Sequence, residues 1–241
     1  MVALAECLPE IVSIVERERL HHYASQQPDA RVYSGRGATY GIQLPGSCGR
    51  VVVRHAHRGG LPSRFVSDLY LTRIPPLREL VASYRLRTVG VPTPELVAYV
   101  TYPASVFVRY DVATRELEGA HNLAQVLEAT KDAEERAAAI HATAVLLDKL
   151  TDAGAHHSDL NARNILLQPS ASALEAAVID VDQVRFHVPR SPMVMGANLD
   201  RLERSLRKLG AGGLNVTDAE IRALRLRATD LHTRRTAAPD S

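Results

Sequence analysis

At 241 residues with a large aliphatic share, the chain can bury a substantial core, as one large domain or as two small lobes sharing a cleft. Cys7 and Cys48 are the only cysteines, too few for a disulfide framework and without metal-ligand spacing, so free thiols and a reducing compartment are expected. The net charge of +2 conceals a local excess: between residues 50 and 87, Arg50, Arg54, Arg58, Arg64, Arg73, Arg78, Arg85 and Arg87 stand against Asp68 and Glu79 alone, which predicts a basic face with an anionic partner.

In chain order, the N-terminal MVALAECLPEIVSIVERERL is interrupted by Glu6, Pro9 and Glu10. No run in the chain reaches the roughly 18 to 20 apolar residues that span a bilayer, so neither a signal peptide nor a transmembrane helix is expected. Residues 31–55 alternate as strands around turns: RVYSGRGATYGIQL, the bend PGSCG, then RVVVRH, a hairpin with glycines near its start. Pro75 and Pro76 open a predicted helix through LRELVASYRLR, with Leu77, Leu80, Val81 and Tyr84 at helical spacing, and Gly90 and Pro92 stop it. PELVAYVTYP and ASVFVRYDVATREL read as two further strands. After EGAHNL the pattern turns helical, with NLAQVLEA and EERAAAIHATAVLLDKLTDAG rich in Ala and Leu and Gly154 as a C-terminal stop. HHSDLNARNILL at 156–167 comes next, then a short strand pair, NILLQ and AAVIDVD, then the helix NLDRLERSLRKLG and a polar tail, TRRTAAPDS. There is no internal repeat. A β-rich front, a hinge near residues 115–120 and a helical back predict an α+β chain of two lobes, 1–116 and 117–241.

Phosphoryl transfer from a nucleotide needs a cover for the phosphates, a cation on them, a carboxylate beside the attacking hydroxyl and metal ligands. Gly35 and Gly37, flanking Arg36 in YSGRGATY, let backbone N–H groups approach phosphate, although a plain hairpin turn would also use them. The following strand should carry a phosphate-binding lysine, yet no lysine precedes Lys131; Arg54 occupies the place, with Glu79 on the next helix as its ion-pair partner. Residues 157–164 fit H-x-D-L-x-x-x-N. Asp159 would take or orient the acceptor's hydroxyl proton, His157 would hold the loop, and Asn164 would reach magnesium. Asp180 ends a short apolar strand where a second metal-binding carboxylate is needed, and Asp182 stands where glycine is common. A zinc site is a poor rival, because adjacent histidines do not readily share one ion and no cysteine lies nearby. A nucleic-acid binder is disfavoured by the absence of Trp and of any recognition motif.

With these residues in place, the chain resembles the lipopolysaccharide core heptose and sugar-acid kinases, and among them the 3-deoxy-D-manno-octulosonic acid (Kdo) kinases. GRGATY at 35–40, VVVRHAHRGGLPSRFVSDLYL from 51, RELVASYRLRTVGVPTPELVA from 78, HHSDLNARNILL, VIDVD from 178 and NLDRLERSLRKL from 198 carry the resemblance. Only the first 30 residues and the tail lie outside it. It implies ATP- and magnesium-dependent phosphorylation of the 4-OH of a Kdo residue on lipid A precursor, by an enzyme peripheral to the cytoplasmic face of the bacterial inner membrane. These parts in this order make the expected fold protein-kinase-like, with 1–116 binding the nucleotide phosphates through Gly35, Arg36, Gly37 and Arg54 and 117–241 carrying the catalytic loop and metal ligands; Arg58, followed by two glycines that would let a bulky acceptor approach the backbone, and Asn161 are the expected contacts to the anionic acceptor. On the resemblance Arg54 takes the lysine's place and Asp182 belongs to a D-x-D form, with Val181 replacing the usual aromatic. No A-P-E segment is present, so regulation by loop phosphorylation is not expected. A small-molecule phosphotransferase of the aminoglycoside or choline type would share Asp159, Asn164 and Asp180 but would leave the arginine-rich R-H-A-H-R-G-G segment without a task. An inactive nucleotide-binding scaffold would be expected to have lost one of those three residues.

Overall fold

A computed structural model describes residues 1–33, 37–55, 77–104, 107–171 and 173–237. The chain divides into two compact units, Met1–Val81 with Pro94–Glu116, and Ala82–Thr93 with Leu117–Ser241. The division is therefore discontinuous, whereas the sequence suggested a single cut after residue 116.

The first unit holds β1 (Val2–Ala3), α1 (Leu8–Val15), α2 (Leu20–Ser25), β2 (Arg31–Tyr33), β3 (Thr39–Gln43), β4 (Arg50–His55), the start of α3 (Leu77–Thr88), β5 (Leu96–Ala104) and β6 (Phe107–Arg115). Its strands form one antiparallel sheet in the order β1-β5-β6-β4-β3-β2. Gly46 and Gly49, at φ +68° and +69°, turn β3 into β4 in left-handed geometry that a side chain would resist. The pleat of β4 sends Val51 and Val53 into a core with Ile11, Ile14, Leu20, Ile42 and Val97, and sends Val52 and Arg54 to the opposite face. Cys7 and Cys48 are buried in that core. The helices α1 and α2 supply much of its cover, with Pro9 in the first turn of α1.

α3 corrects the apolar stripe read from the sequence. Val81 and Tyr84 are 58% and 73% exposed, while Glu79, Ala82, Ser83 and Leu86 are buried. The buried side is the one that carries a carboxylate to Arg54, and that pairing overrides the hydrophobic periodicity.

The second unit contains β7 (His121–Asn122), α4 (Leu123–Ala129), α5 (Ala133–Asp152), β8 (Ala155–His157), β9 (Ile165–Pro169), β10 (Leu174–Val178), β11 (Val184–Phe186), α6 (Pro192–Ala211) and α7 (Asp218–Ala237). Asn122 and Gln125 cap α4 reciprocally, and the Asp132 carboxylate accepts from the first free N–H groups of α5. Gly154 ends α5 with φ +67°, and a Cβ there would lie 2.4 Å from the His187 carbonyl oxygen, so both backbone conformation and space require glycine. α5 is buried along Ile140, Leu146, Leu147 and Leu150, and packs with Leu160, Ile165, Leu167, Val178, Leu199 and Leu202. Antiparallel β9 and β10 place Ile165 opposite Val178, and β8 pairs with β11.

α7 was not anticipated, because only Ile221, Leu224 and Ala228 are buried on an otherwise arginine-rich helix. Those three join the core around α5, and ion pairs add to the attachment. The buried Arg136 on α5 donates from Nε to Glu220 (2.6 Å), from Nη1 to the Leu127 and Thr130 carbonyls, and from Nη2 to Asn215 O and Glu220.

Candidate active site

Arg54 lies on a central strand, opposite Thr39 of β3 and Val112 of β6. Its Nη2 donates to Oε1 of Glu79, whose residue is 5% exposed. The neighbouring His55 is fixed as well: Nδ1 lies 2.6 Å from Oδ1 of the fully buried Asp111, whose Oδ2 accepts from the His21 N–H at 2.9 Å. A guanidinium at the end of a braced strand is thus held by a buried carboxylate. Gly37 lies in a bend before β3, while Gly35, Arg36 and Arg58 fall outside the described residues.

In the second unit, His157 is fully buried at the end of β8. Its Nδ1 accepts the Asp159 N–H at 3.2 Å, which leaves Nε2–H to donate to the Ile179 carbonyl at 3.1 Å. Burial pushes its pKa down, against the opposing pull of Ile179 O and the Asp180, Asp159 and Asp182 carboxylates. A neutral imidazole with both nitrogens engaged braces the loop.

The Asp159 carbonyl accepts from two side-chain amides, Asn161 Nδ2 at 3.0 Å and Asn164 Nδ2 at 2.9 Å. Asn161 Oδ1 also accepts the Arg163 N–H at 3.0 Å. The geometry therefore gives Asn161 a task other than the acceptor contact implied by resemblance, since its carboxamide shapes the turn. Asn164 directs its NH2 inward, and its Oδ1 accepts no hydrogen bond among the described residues. The Asn164 carbonyl accepts the Ile179 N–H at 3.0 Å, so Asn164 lies across the strand pair from the residue before Asp180. Asp180 adopts φ 60°, ψ 44°, a left-handed conformation strained for a non-glycine residue and enriched at functional sites. Asp182, in the following turn, accepts from Gln183 Nε2 at 2.9 Å.

Two supports were missed in the sequence. The fully buried Asn198 of α6 accepts the His157 N–H (3.0 Å) and donates to the Ala155 carbonyl (2.9 Å). One turn on, Arg201 donates from Nη2 to Asp159 Oδ1. Asn198 was detectable as a polar interruption in the stripe of Val194, Met195, Leu199, Leu202 and Leu206. Arg201, on an exposed-looking register, carried no such signal.

A loop-borne carboxylate followed by an amide oxygen and a second carboxylate in the second unit, and a strand-borne cation paired with a helix carboxylate in the first, are the parts a protein-kinase-like phosphotransferase uses. The lipopolysaccharide kinase (Kdo/WaaP) family profile matches residues 25–226. A 3-deoxy-D-manno-octulosonic acid kinase of Haemophilus influenzae (strain 86-028NP) is 31% identical over 193 residues, covering 77% of this chain and 78% of that protein. A protein of the same name from Stenotrophomonas maltophilia (strain K279a) is 32% identical over 198 residues, covering 80% and 75%. A solved structure, WaaP in complex with acyl carrier protein, shares the fold at a TM-score of 0.58 and 18% identity, over 97% of this chain and 89% of that one. The chain belongs to the lipopolysaccharide kinase (Kdo/WaaP) family.

Proposed function

We propose that the chain transfers the γ-phosphate of ATP to the 4-OH of a Kdo residue on lipid A precursor. The observation that carries this reading is the loop of residues 157–164: both asparagine amides hold the Asp159 carbonyl, Asn164 Oδ1 accepts no hydrogen bond from the described residues, and the Asn164 carbonyl bonds the N–H of Ile179, the residue before Asp180. Two oxygen donors without hydrogen bonds from the described residues suit magnesium, which takes few protein ligands and completes its shell with phosphate oxygens and water. The described residues contain no cluster of three or more His, Cys, Asp or Glu side chains that would favour a self-contained metal cage. With the nucleotide bound, the metal would neutralise charge on the transferring phosphate.

Asn164 and Asp180 hold that ion in this reading. Asp159 orients the acceptor hydroxyl and receives its proton, while the neutral His157 keeps the loop in place without taking part in proton transfer. Arg54, clamped by Glu79, pairs the nucleotide phosphates in the role a lysine would fill, with Gly35, Arg36 and Gly37 as their cover; the planar guanidinium can fork onto a carboxylate and a phosphate oxygen together. Arg58 and those neighbouring arginines that are not committed elsewhere, as Arg50 is to Asp29 and Glu116 and Arg54 to Glu79, would meet the anionic glycolipid at the membrane surface, where each basic side chain contributes about 1 kcal/mol. The contact proposed is peripheral, at the cytoplasmic face of the inner membrane; among the described residues no helix is long and apolar enough to cross a membrane.

The test is mass spectrometry of Kdo-containing lipid A precursor after incubation with purified protein, ATP and magnesium. One added phosphate, located on the Kdo 4-OH by fragmentation and absent when magnesium is chelated, is the expected result. Phosphorylation of choline or an aminoglycoside instead, with none on Kdo, would overturn the assignment.

A further inference from the structure

Two half-buried or buried arginines of the second unit contrast sharply. Arg136 distributes its guanidinium over three carbonyls and both oxygens of Glu220, so every nitrogen is engaged and the residue is a structural staple. Arg201 makes a single hydrogen bond among the described residues, from Nη2 to Oδ1 of Asp159. Its Nε and Nη1 donate to none of them, and its side chain keeps 29% exposure. A guanidinium is planar with donors along two edges, so one edge rests on Asp159 while the rest of the fork has no partner on the described chain.

That cation is placed at the acceptor's end of the chemistry. The oxygens suited to metal and phosphate come from Asn164 and Asp180, whereas Arg201 reaches from α6 to the carboxylate that meets the attacking hydroxyl. The contact with Asp159 uses one nitrogen of the guanidinium and leaves its other donors without a partner among the described residues. It also sets a positive charge where a cationic acceptor such as choline or an aminoglycoside would have to lie, and repulsion of the wrong partner is half of specificity.

We propose that Arg201 is the anion receptor of the acceptor site, with its guanidinium shared between Asp159 and an anionic group of the acceptor, a carboxylate or a phosphate. The inference rests on the assignment of Asp159 as the acceptor-side carboxylate and names the acceptor class independently of the Arg58 region. A charge-assisted contact of this kind corresponds to roughly 10- to 100-fold in affinity.

Binding and transfer are measured side by side on the full chain. The probes are free Kdo, whose ring bears a carboxylate, and its methyl ester, each titrated calorimetrically in the presence of magnesium and a non-hydrolysable ATP analogue. Esterification should weaken binding to the wild type about 10- to 100-fold and leave Arg201→Ala, already weak for the acid, unaffected; Arg201→Lys should fall between. A second arm compares lipid A precursor with and without its phosphates. Dependence on Arg201 that tracks the phosphates rather than the carboxylate identifies the lipid as the source of the anion. Unchanged affinity for the nucleotide analogue shows that the variant is folded, and Arg201→Gln serves if Arg201→Ala is not. The receptor is overturned if neither esterification nor removal of phosphates weakens wild-type binding, or if the variants lose acid and ester, or phosphorylated and dephosphorylated precursor, equally. Transfer to Kdo with charge dependence indifferent to Arg201 sinks the receptor and keeps the kinase; charge-dependent binding lost in Arg201→Ala without any transfer keeps the receptor and sinks the Kdo kinase.

Discussion

Replacing Asn198 with leucine tests whether α6 sets the catalytic loop. The swap roughly preserves volume but removes the acceptor for the His157 N–H at 3.0 Å and the donor to the Ala155 carbonyl at 2.9 Å, inside a site with no exposure. Each buried backbone group left without a partner costs about 1–3 kcal/mol, so with two such groups the expected loss is about 2–6 kcal/mol, corresponding to at least ~4 °C in Tm for a chain of this size. Asn198→Asp keeps the acceptor and sets a carboxylate oxygen against the Ala155 carbonyl, so it should cost a comparable amount at neutral pH. Urea denaturation with an unchanged m-value reads the stability loss. Because β8 carries His157 into the loop, kcat of the folded fraction should fall while ATP half-saturation changes little. Stability of Asn198→Leu within about 0.5 kcal/mol of wild type, the range of an ordinary surface substitution, would refute the reasoning.

Asp159→Asn should lower kcat by roughly 10² to 10⁴ with an unchanged melting temperature; wild-type turnover would remove Asp159 from the chemistry. Arg54→Lys should raise ATP half-saturation less than Arg54→Ala does, since lysine keeps a charge but loses the planar fork to Glu79 and phosphate, and equality of Lys with Arg would show that geometry is not what this position supplies. Burial pushes Glu220 up, but Arg136 and the Thr217 hydrogen bonds outweigh it and hold its pKa below 4.5, so the stability it contributes is fully present above about pH 4.5 and is lost as pH falls through the lower folded value. Glu220→Gln should accordingly be about 1.5–3 kcal/mol less stable than wild type at pH 7, with the difference shrinking below pH 4.5 in paired urea titrations; a gap that persists at low pH would assign the loss to packing.

The parts of the fold readable in the sequence were those with a local cause. The turn before β4 has its glycines, α5 its alanines, leucines and Gly154 stop, and the strand pair after the loop its short apolar runs. The loop residues were legible because their order is itself a signal. What could not be read depended on partners distant in sequence. α7 is fastened by Glu220 to Arg136 and by Arg235 to Asp148, pairs 84 and 87 residues apart. The buried side of α3 is the one that gives Glu79 to Arg54 and Ala82 and Leu86 to the core, not the one that carries Val81 and Tyr84. Asn161 also closes the turn, on Asp159 O and Arg163 N, a role its place in the sequence does not announce.

The loop is irregular backbone, and irregular backbone holds a carboxylate accurately only when something regular fixes it. Here α6 supplies the regularity. Asn198, Arg201 and Ser205 lie at i, i+3 and i+7, one stripe of a helix, and they meet the loop at the His157 N–H, the Asp159 carboxylate and, at 3.2 Å, the Ala162 N–H. Leu199, Leu202 and Leu206 bury the adjoining stripe in the core with α5, so the helix that positions the loop is itself packed on both counts. The arrangement separates duties along the stripe. Asn198 and Ser205 engage only backbone among the described residues, which any acceptor would need, whereas Arg201 is the one of the three that touches the Asp159 carboxylate proposed to meet the acceptor, and a change in acceptor charge would bear on Arg201 without disturbing its two neighbours.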